Sequence, residues 1–127
     1  MVRLEFFVVA ESFSIDQLTN RVSIFNILET IQAPAFPLVL PQLMAVSLWE
    51  DDERDTERQY QVDIRITLGD SELEHIQQNL KFPRPRLRTI AQILNLKIPG
   101  SGRMKIELKL NGEHKAWHYV DVNQAPN

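Results

Sequence analysis

The chain has 127 residues, a formal net charge of −3 and no cysteine, so it has enough length for one self-supporting core. The missing cysteines exclude disulfides, thiolate-held metal centres and thiol catalysis, and fit a reducing compartment. The charge is unevenly spread. Residues 50 to 80 carry ten acids against three arginines, and residues 81 to 127 carry nine bases against three acids. Such segregation makes a dipolar surface, unless the two segments lie side by side in a sheet and neutralise each other.

The N-terminal "MVRLEFFVVAES" places Glu5 inside a short apolar run and lacks the pattern of a signal peptide. No apolar stretch reaches the roughly 20 residues of a membrane helix, so the expectation is a cytoplasmic protein without a membrane segment. Alternation then runs through the chain. Leu4, Phe6, Val8 and Ala10 share one face of a first strand, with Phe7 and Val9 on the other. A short helical turn is an option over residues 12 to 19 or in the proline-rich segment 32 to 42. "RVSIFNILETI" reads as one strand, with Val22, Ile24, Asn26 and Leu28 opposite Ser23, Phe25, Ile27 and Glu29. "QAPAFPLVLPQ" has three prolines and the length to cross between sheets.

"LMAVSLW" sets Leu43, Ala45, Ser47 and Trp49 against Met44, Val46 and Leu48. The cleanest strand is "YQVDIRITLGD", where Tyr60, Val62, Ile64, Ile66 and Leu68 alternate with polar residues, as a strand with one wet face does. Leu73, His75, Gln77 and Asn79 then alternate with Glu74, Ile76, Gln78 and Leu80. Ile90, Gln92, Leu94, Leu96 and Ile98 line one side of a later strand. After the turn "PGSG", Met104, Ile106, Leu108 and Leu110 point inward, and Asn111-Gly112 closes a hairpin. The spacing predicts an all-β fold, an antiparallel β-sandwich of about eight strands over residues 1–122, with 123–127 as a short loose tail.

"AESFSID", "NRVSIFNILETIQAPAFP", the hairpin "LNLKIPGSGRMKIELKLNGE" and the closing "YVDV" together resemble a family of small, uncharacterised bacterial proteins classed only as a domain of unknown function. The resemblance spans nearly the whole chain and rests on apolar positions, turn glycines and prolines. It implies a sandwich of immunoglobulin or C2-like character and supplies no catalytic residue.

Chemistry-bearing patterns are sparse. The acidic run "WEDDERDTER" offers Asp51, Asp52 and Asp55 as Ca2+ ligands, but calcium needs about six to eight converging oxygens, so Asp70 and Asp121 would have to arrive from elsewhere. A solvated loop that keeps strand ends charged explains the run with fewer assumptions. His114 and His118 share a strand face about 13 Å apart, too far to chelate one ion unless the chain bends. Ser101 has no base beside it, and Gly100 and Gly102 have no helix to complete a phosphate loop. The chain is therefore expected to be no enzyme and to need no cofactor.

In "KFPRPRLR" the prolines enforce extended backbone and Arg84, Arg86 and Arg88 alternate outward. Its simplest role is an edge or crossover guarded by charge. As a functional surface it joins Lys81, Arg84, Arg86 and Arg88 to Arg103, with Lys97, Lys105 or Lys109 extending the strip. A protein partner or a second copy of the chain fits this surface better than nucleic acid, against which a pI of 5.6 counts. Trp117 and Tyr119 share a face of the last strand, and either or both could belong to the core.

Overall fold

In the computed structural model, residues 2–51, 58–81 and 85–126 are described. Among them nine strands form two sheets. They are β1 (Val2–Ile15), β2 (Val22–Ile27), β3 (Thr30–Ala33), β4 (Leu38–Asp51), β5 (Gln59–Leu68), β6 (Ser71–Lys81), β7 (Arg86–Ile98), β8 (Gly102–Leu110) and β9 (Glu113–Gln124). One sheet has the order β2-β1-β4-β7 and the other β3-β9-β8-β5-β6. The inner faces meet in one core that includes Val9, Leu43, Ala45 and Trp49 from the first sheet and Ile64, Ile66, Ile106, Leu108 and Val120 from the second.

The extra strand comes from the segment read as one strand over 21–31. Leu28 N–H still donates to the Val9 carbonyl of β1 (2.9 Å), whereas the Glu29 carbonyl already accepts from Asp121 N–H of β9 (2.9 Å). The chain changes sheets between these two residues. β3 then runs parallel to β9, from Thr30 opposite Asp121 to Ala33 opposite Gln124. This pairing continues through the residues expected to be loose, and Ala125 N–H donates to the Ala33 carbonyl (2.8 Å). The proline-rich segment does cross back between sheets, but residues 34–37 suffice, and Leu38 to Pro41 already belong to β4.

No helical turn forms near residue 16. Asp16 closes a β1–β2 hairpin instead, its Oδ1 accepting from the backbone N–H groups of Leu18 (2.8 Å) and Thr19 (3.2 Å). Short side-chain-to-backbone bonds of this kind favour a turn over a helix.

Three local irregularities correct the expected faces. Glu5 is an extra residue in the β1–β4 ladder, since Leu4 pairs with Trp49 and Phe6 with Leu48. The bulge turns Leu4, Phe7 and Val9 inward and leaves Phe6 40% exposed. Asn95, with φ of 55°, sits in the left-handed region that asparagine tolerates. It rotates β7 so that Ala91, Ile93, Leu96 and Ile98 are buried while Leu94 is 58% exposed. A third slip at Lys115 separates His114 from Ala116 in the β8–β9 register.

Ala10, Met44 and Val46 point away from the inter-sheet core and are nevertheless buried. The β1–β2 hairpin returns on that side, where Arg88 Nη2 donates to the Asn20 carbonyl (3.0 Å). The four-stranded sheet is thus covered on both faces. The five-stranded sheet keeps a polar outer face, with Asp63, Arg65, Thr67, Lys105, Glu107 and Lys109 alternating against the buried aliphatics of β5 and β8.

Candidate functional site

The residues expected to form one basic strip fall into two places. Arg86 and Arg88 lie on the edge strand β7, and Lys81 ends the neighbouring edge strand β6. Arg84 lies outside the described residues. Arg103 does not join them. It sits on β8 in the other sheet, beyond the turn at 99–101 that crosses between the layers at the far end of β7. Lys97 is near that far end as well, opposite Val39.

Around Arg86 and Arg88 the two charged segments meet. Glu50 pairs in register with Arg86, and its carboxylate accepts from Arg3 Nη2 (2.8 Å). The Glu50 carboxyl titrates below its ordinary range, chiefly through the hydrogen bond it shares with the Glu5 carboxyl and the one Arg3 donates, with the Arg3 and Arg86 charges adding to this. The acidic and basic segments therefore offset each other along the β4–β7 ladder. Asn20, Leu48, Glu50, Pro85, Arg86 and Arg88 line an open cleft of about 670 Å³ here.

The described calcium candidates, Asp51, Asp70 and Asp121, do not converge. Asp51 is buried at the inner end of β4, accepts from Tyr60 Oη (3.1 Å), and its backbone N–H donates to the Pro85 carbonyl (2.7 Å). Asp52 and Asp55 lie outside the described residues. Asp70, in the β5–β6 turn, and Asp121, opposite Arg103, are at the other end of the five-stranded sheet from Asp51. Among the described residues no three metal-ligating side chains cluster.

The histidines are also held apart. The slip at Lys115 puts His114 and His118 on opposite faces, contrary to the shared face that regular alternation gives. His118 Nε2 donates to the Leu28 carbonyl (2.6 Å), beside the sheet-switching point. His114 Nδ1 meets Glu107 Oε2 at 2.7 Å on the outer face, and His75 Nε2 lies 3.3 Å from Asp63 Oδ1 on the same face.

Two surfaces remain that the sequence did not mark as candidate sites. One is the β1–β2 hairpin. Its turn holds Leu18 97% exposed, Ile15 at the end of β1 is 41% exposed, and Phe25 and Ile27 are 47% and 51% exposed on the other face of the hairpin. β2 is an end strand of its sheet, so one edge of its backbone has no neighbouring strand among the described residues. The other surface is the aromatic row on β9. Trp117 and Tyr119 point outward, their ring centroids 6.1 Å apart and their planes 19° from parallel. His114 lies 5.0 Å from Trp117 on one side, and the Arg103 guanidinium lies 5.3 Å over the Tyr119 ring on the other. Arg103 Nε donates to Asp121 Oδ1 (3.0 Å), a bond that, with the Asp121 charge, raises the arginine pKa further above its ordinary value. The outward direction had a signal in the sequence: Val120 and Val122, the aliphatic residues of β9, have the opposite parity to Trp117 and Tyr119.

The chain belongs to a family of unknown function (DUF6941), whose profile matches residues 5–122. No curated protein matches the chain.

Proposed function

Starting from a family with no assigned role, we propose that this chain is a non-enzymatic protein-contact module that pairs through the β1–β2 hairpin, joining copies of itself or docking on another protein. The observation that carries this reading is the apolar character of an open edge. β6 guards its edge with Glu72, Glu74, His75 and Lys81, and β7 with Arg86 and Arg88, as end strands that avoid pairing do. β2 instead presents Phe25 and Ile27, 47% and 51% exposed on one of its faces, with Leu18 97% exposed at the turn. An extended partner strand would satisfy its free backbone groups and bury these side chains. The Asp16 turn and the Arg88–Asn20 bond hold the hairpin in one shape, which lowers the ordering cost of association.

Strand order supports an immunoglobulin-like version of the sandwich. β1, β4 and β7 follow the A-B-E order of that fold, β9, β8, β5 and β6 follow G-F-C-C′, and β2 is an addition beside A. A cysteine-free chain suits work in the cytoplasm.

The test is light scattering over a range of concentrations, with partner recovery alongside it. The wild type is expected to exceed its monomer mass of 14.8 kDa, and Phe25→Lys/Ile27→Lys to remain monomeric with an unchanged far-ultraviolet spectrum. A wild type that stays monomeric, with partner recovery unaffected by the double substitution, would overturn the reading.

A further inference from the structure

The aromatic row on the five-stranded sheet lies apart from the hairpin and has a different chemistry. Trp117 and Tyr119 are each 44% exposed on a face that is otherwise polar. Each heads a row of side chains running across four strands. Trp117 is opposite Glu107, then Arg65, then His75, and Tyr119 is opposite Lys105, then Thr67, then Glu72. A shallow pocket of about 120 Å³ opens on the same face, lined by Asp63, Arg65, His75, Gln77 and Lys109 among others and by Glu107, the cross-strand partner of Trp117. Donors and acceptors alternate around it.

The charge balance decides what class of ligand suits this face. Arg65, Arg103, Lys105 and Lys109 are matched by Asp63, Glu72, Glu107 and Asp121. Three of the four cations have a carboxylate close by: Arg103 with Asp121 at 3.0 Å, Arg65 with Glu72 at 2.7 Å, and Lys109 with Glu107 at 4.0 Å. A polyanion such as single-stranded nucleic acid would have to break these pairs or meet the carboxylates, and its phosphates would find Lys105 alone unengaged. A purely apolar partner would leave the same polar groups without water. A neutral ligand rich in hydroxyl groups avoids both costs, because each hydroxyl donates and accepts and so serves acids, bases and histidines together.

We propose that the outer face of the five-stranded sheet binds a neutral oligosaccharide. Its sugar rings lie against Trp117 and Tyr119, and its hydroxyls reach Glu107, Arg65, Asp63 and His75. The C–H face of a pyranose ring is weakly electropositive and packs on the electron-rich face of an aromatic ring. Trp117 and Tyr119, each 44% exposed and 6.1 Å apart, engage neighbouring sugar units along one chain, Tyr119 through the face turned away from Arg103. Arg103, tied to Asp121 and seated on Tyr119, is a positioning residue that fixes the ring before the ligand arrives.

Trp117 supplies its own reporter, since the only other tryptophan, Trp49, is fully buried. The intact protein is titrated with cellohexaose, xylohexaose, mannohexaose, maltohexaose and chitohexaose, and with a single-stranded thymidine oligonucleotide, while Trp117 emission is followed. A glycan array widens the search with the same protein. At least one neutral sugar is expected to shift the emission, and Trp117→Ala or Tyr119→Ala to weaken binding about tenfold or more when read by calorimetry. Phe25→Lys/Ile27→Lys is expected to bind sugar as the wild type does, so this proposal and the protein-contact reading fail separately. Silence across the panel and the array overturns the proposal. So does binding of the oligonucleotide alone, or a change in the oligomeric mass of Trp117→Ala without any sugar bound.

Discussion

The two sheets are built under different constraints. In the five-stranded sheet one face meets the core and the other meets water, and β5 and β8 alternate between buried apolar and outward polar residues. A one-residue slip there would exchange the faces completely, so register is strongly specified. The four-stranded sheet is covered twice, by the opposite sheet and by its own β1–β2 hairpin, and Leu43 to Ser47 form an unbroken buried run. With both faces apolar a slip costs less, and this sheet contains the Glu5 bulge and the left-handed Asn95. The slips of the five-stranded sheet lie in its β5–β6 and β8–β9 pairings, and the central β5–β8 ladder has none.

The two tryptophans test this contrast most strongly. Trp49 is fully buried in the four-stranded sheet, and its Nε1 donates to Ser47 Oγ (2.9 Å), which in turn bonds Thr89 Oγ1. Trp49→Ala opens a cavity and removes one donor from Ser47, and chemical denaturation should show a loss of about 3–5 kcal/mol. Trp117→Ala removes a ring from the wet face and should stay within about 0.5 kcal/mol of the wild type. Comparable losses in the two variants would show that the outer aromatic row is part of the folding core.

A smaller effect is expected at the hairpin that gives the first sheet its second cover. Arg88→Ala deletes the hydrogen bond to the Asn20 carbonyl, a contact at the exposed surface whose loss should cost about 1 kcal/mol at most. Hydrogen exchange localises the change: amides of residues 16 to 27 should exchange faster, while those of β5 and β8 remain protected. Uniform acceleration in all strands would mean that the hairpin opens only with the whole domain.

The same contrast determines what could be read from the sequence. The inward faces of β5 and β8 followed from alternation, and the Asn111-Gly112 turn has the positive φ values (51° and 80°) that its residue types allow. Leu94 was misplaced because alternation assumes one continuous backbone twist, which Asn95 interrupts. His114 and His118 were put on one face for the same reason, since nothing in their composition announces the slip at Lys115. The switch at Leu28–Glu29 depends on which neighbour supplies each hydrogen bond, a matter of partners far along the chain. At the site, the outward alternation of Arg86 and Arg88 was legible. Their separation from Arg103 was not, because it depends on β7 and β8 belonging to different sheets.

The smallest expected effect is electrostatic, at the place where the acidic and basic segments meet. Glu50 lies on the first sheet between Arg3 and Arg86, and its carboxyl is held below the ordinary value of 4.5 by the hydrogen bond it shares with the Glu5 carboxyl, by the one Arg3 donates and by the two arginine charges. A carboxyl with a depressed folded-state pKa contributes stability that is fully present above its unfolded value and is lost as pH falls through the folded value. Glu50→Gln should therefore melt slightly below the wild type at neutral pH. The gap should close as the solution is acidified below 4.5, and added salt should narrow it at neutral pH because the group is exposed to solvent. Melting temperatures of both proteins across that range, at low and moderate ionic strength, check the sign. A gap that is constant with pH would assign the effect to lost packing of the side chain rather than to its charge, and would leave the offset between the two segments without energetic consequence.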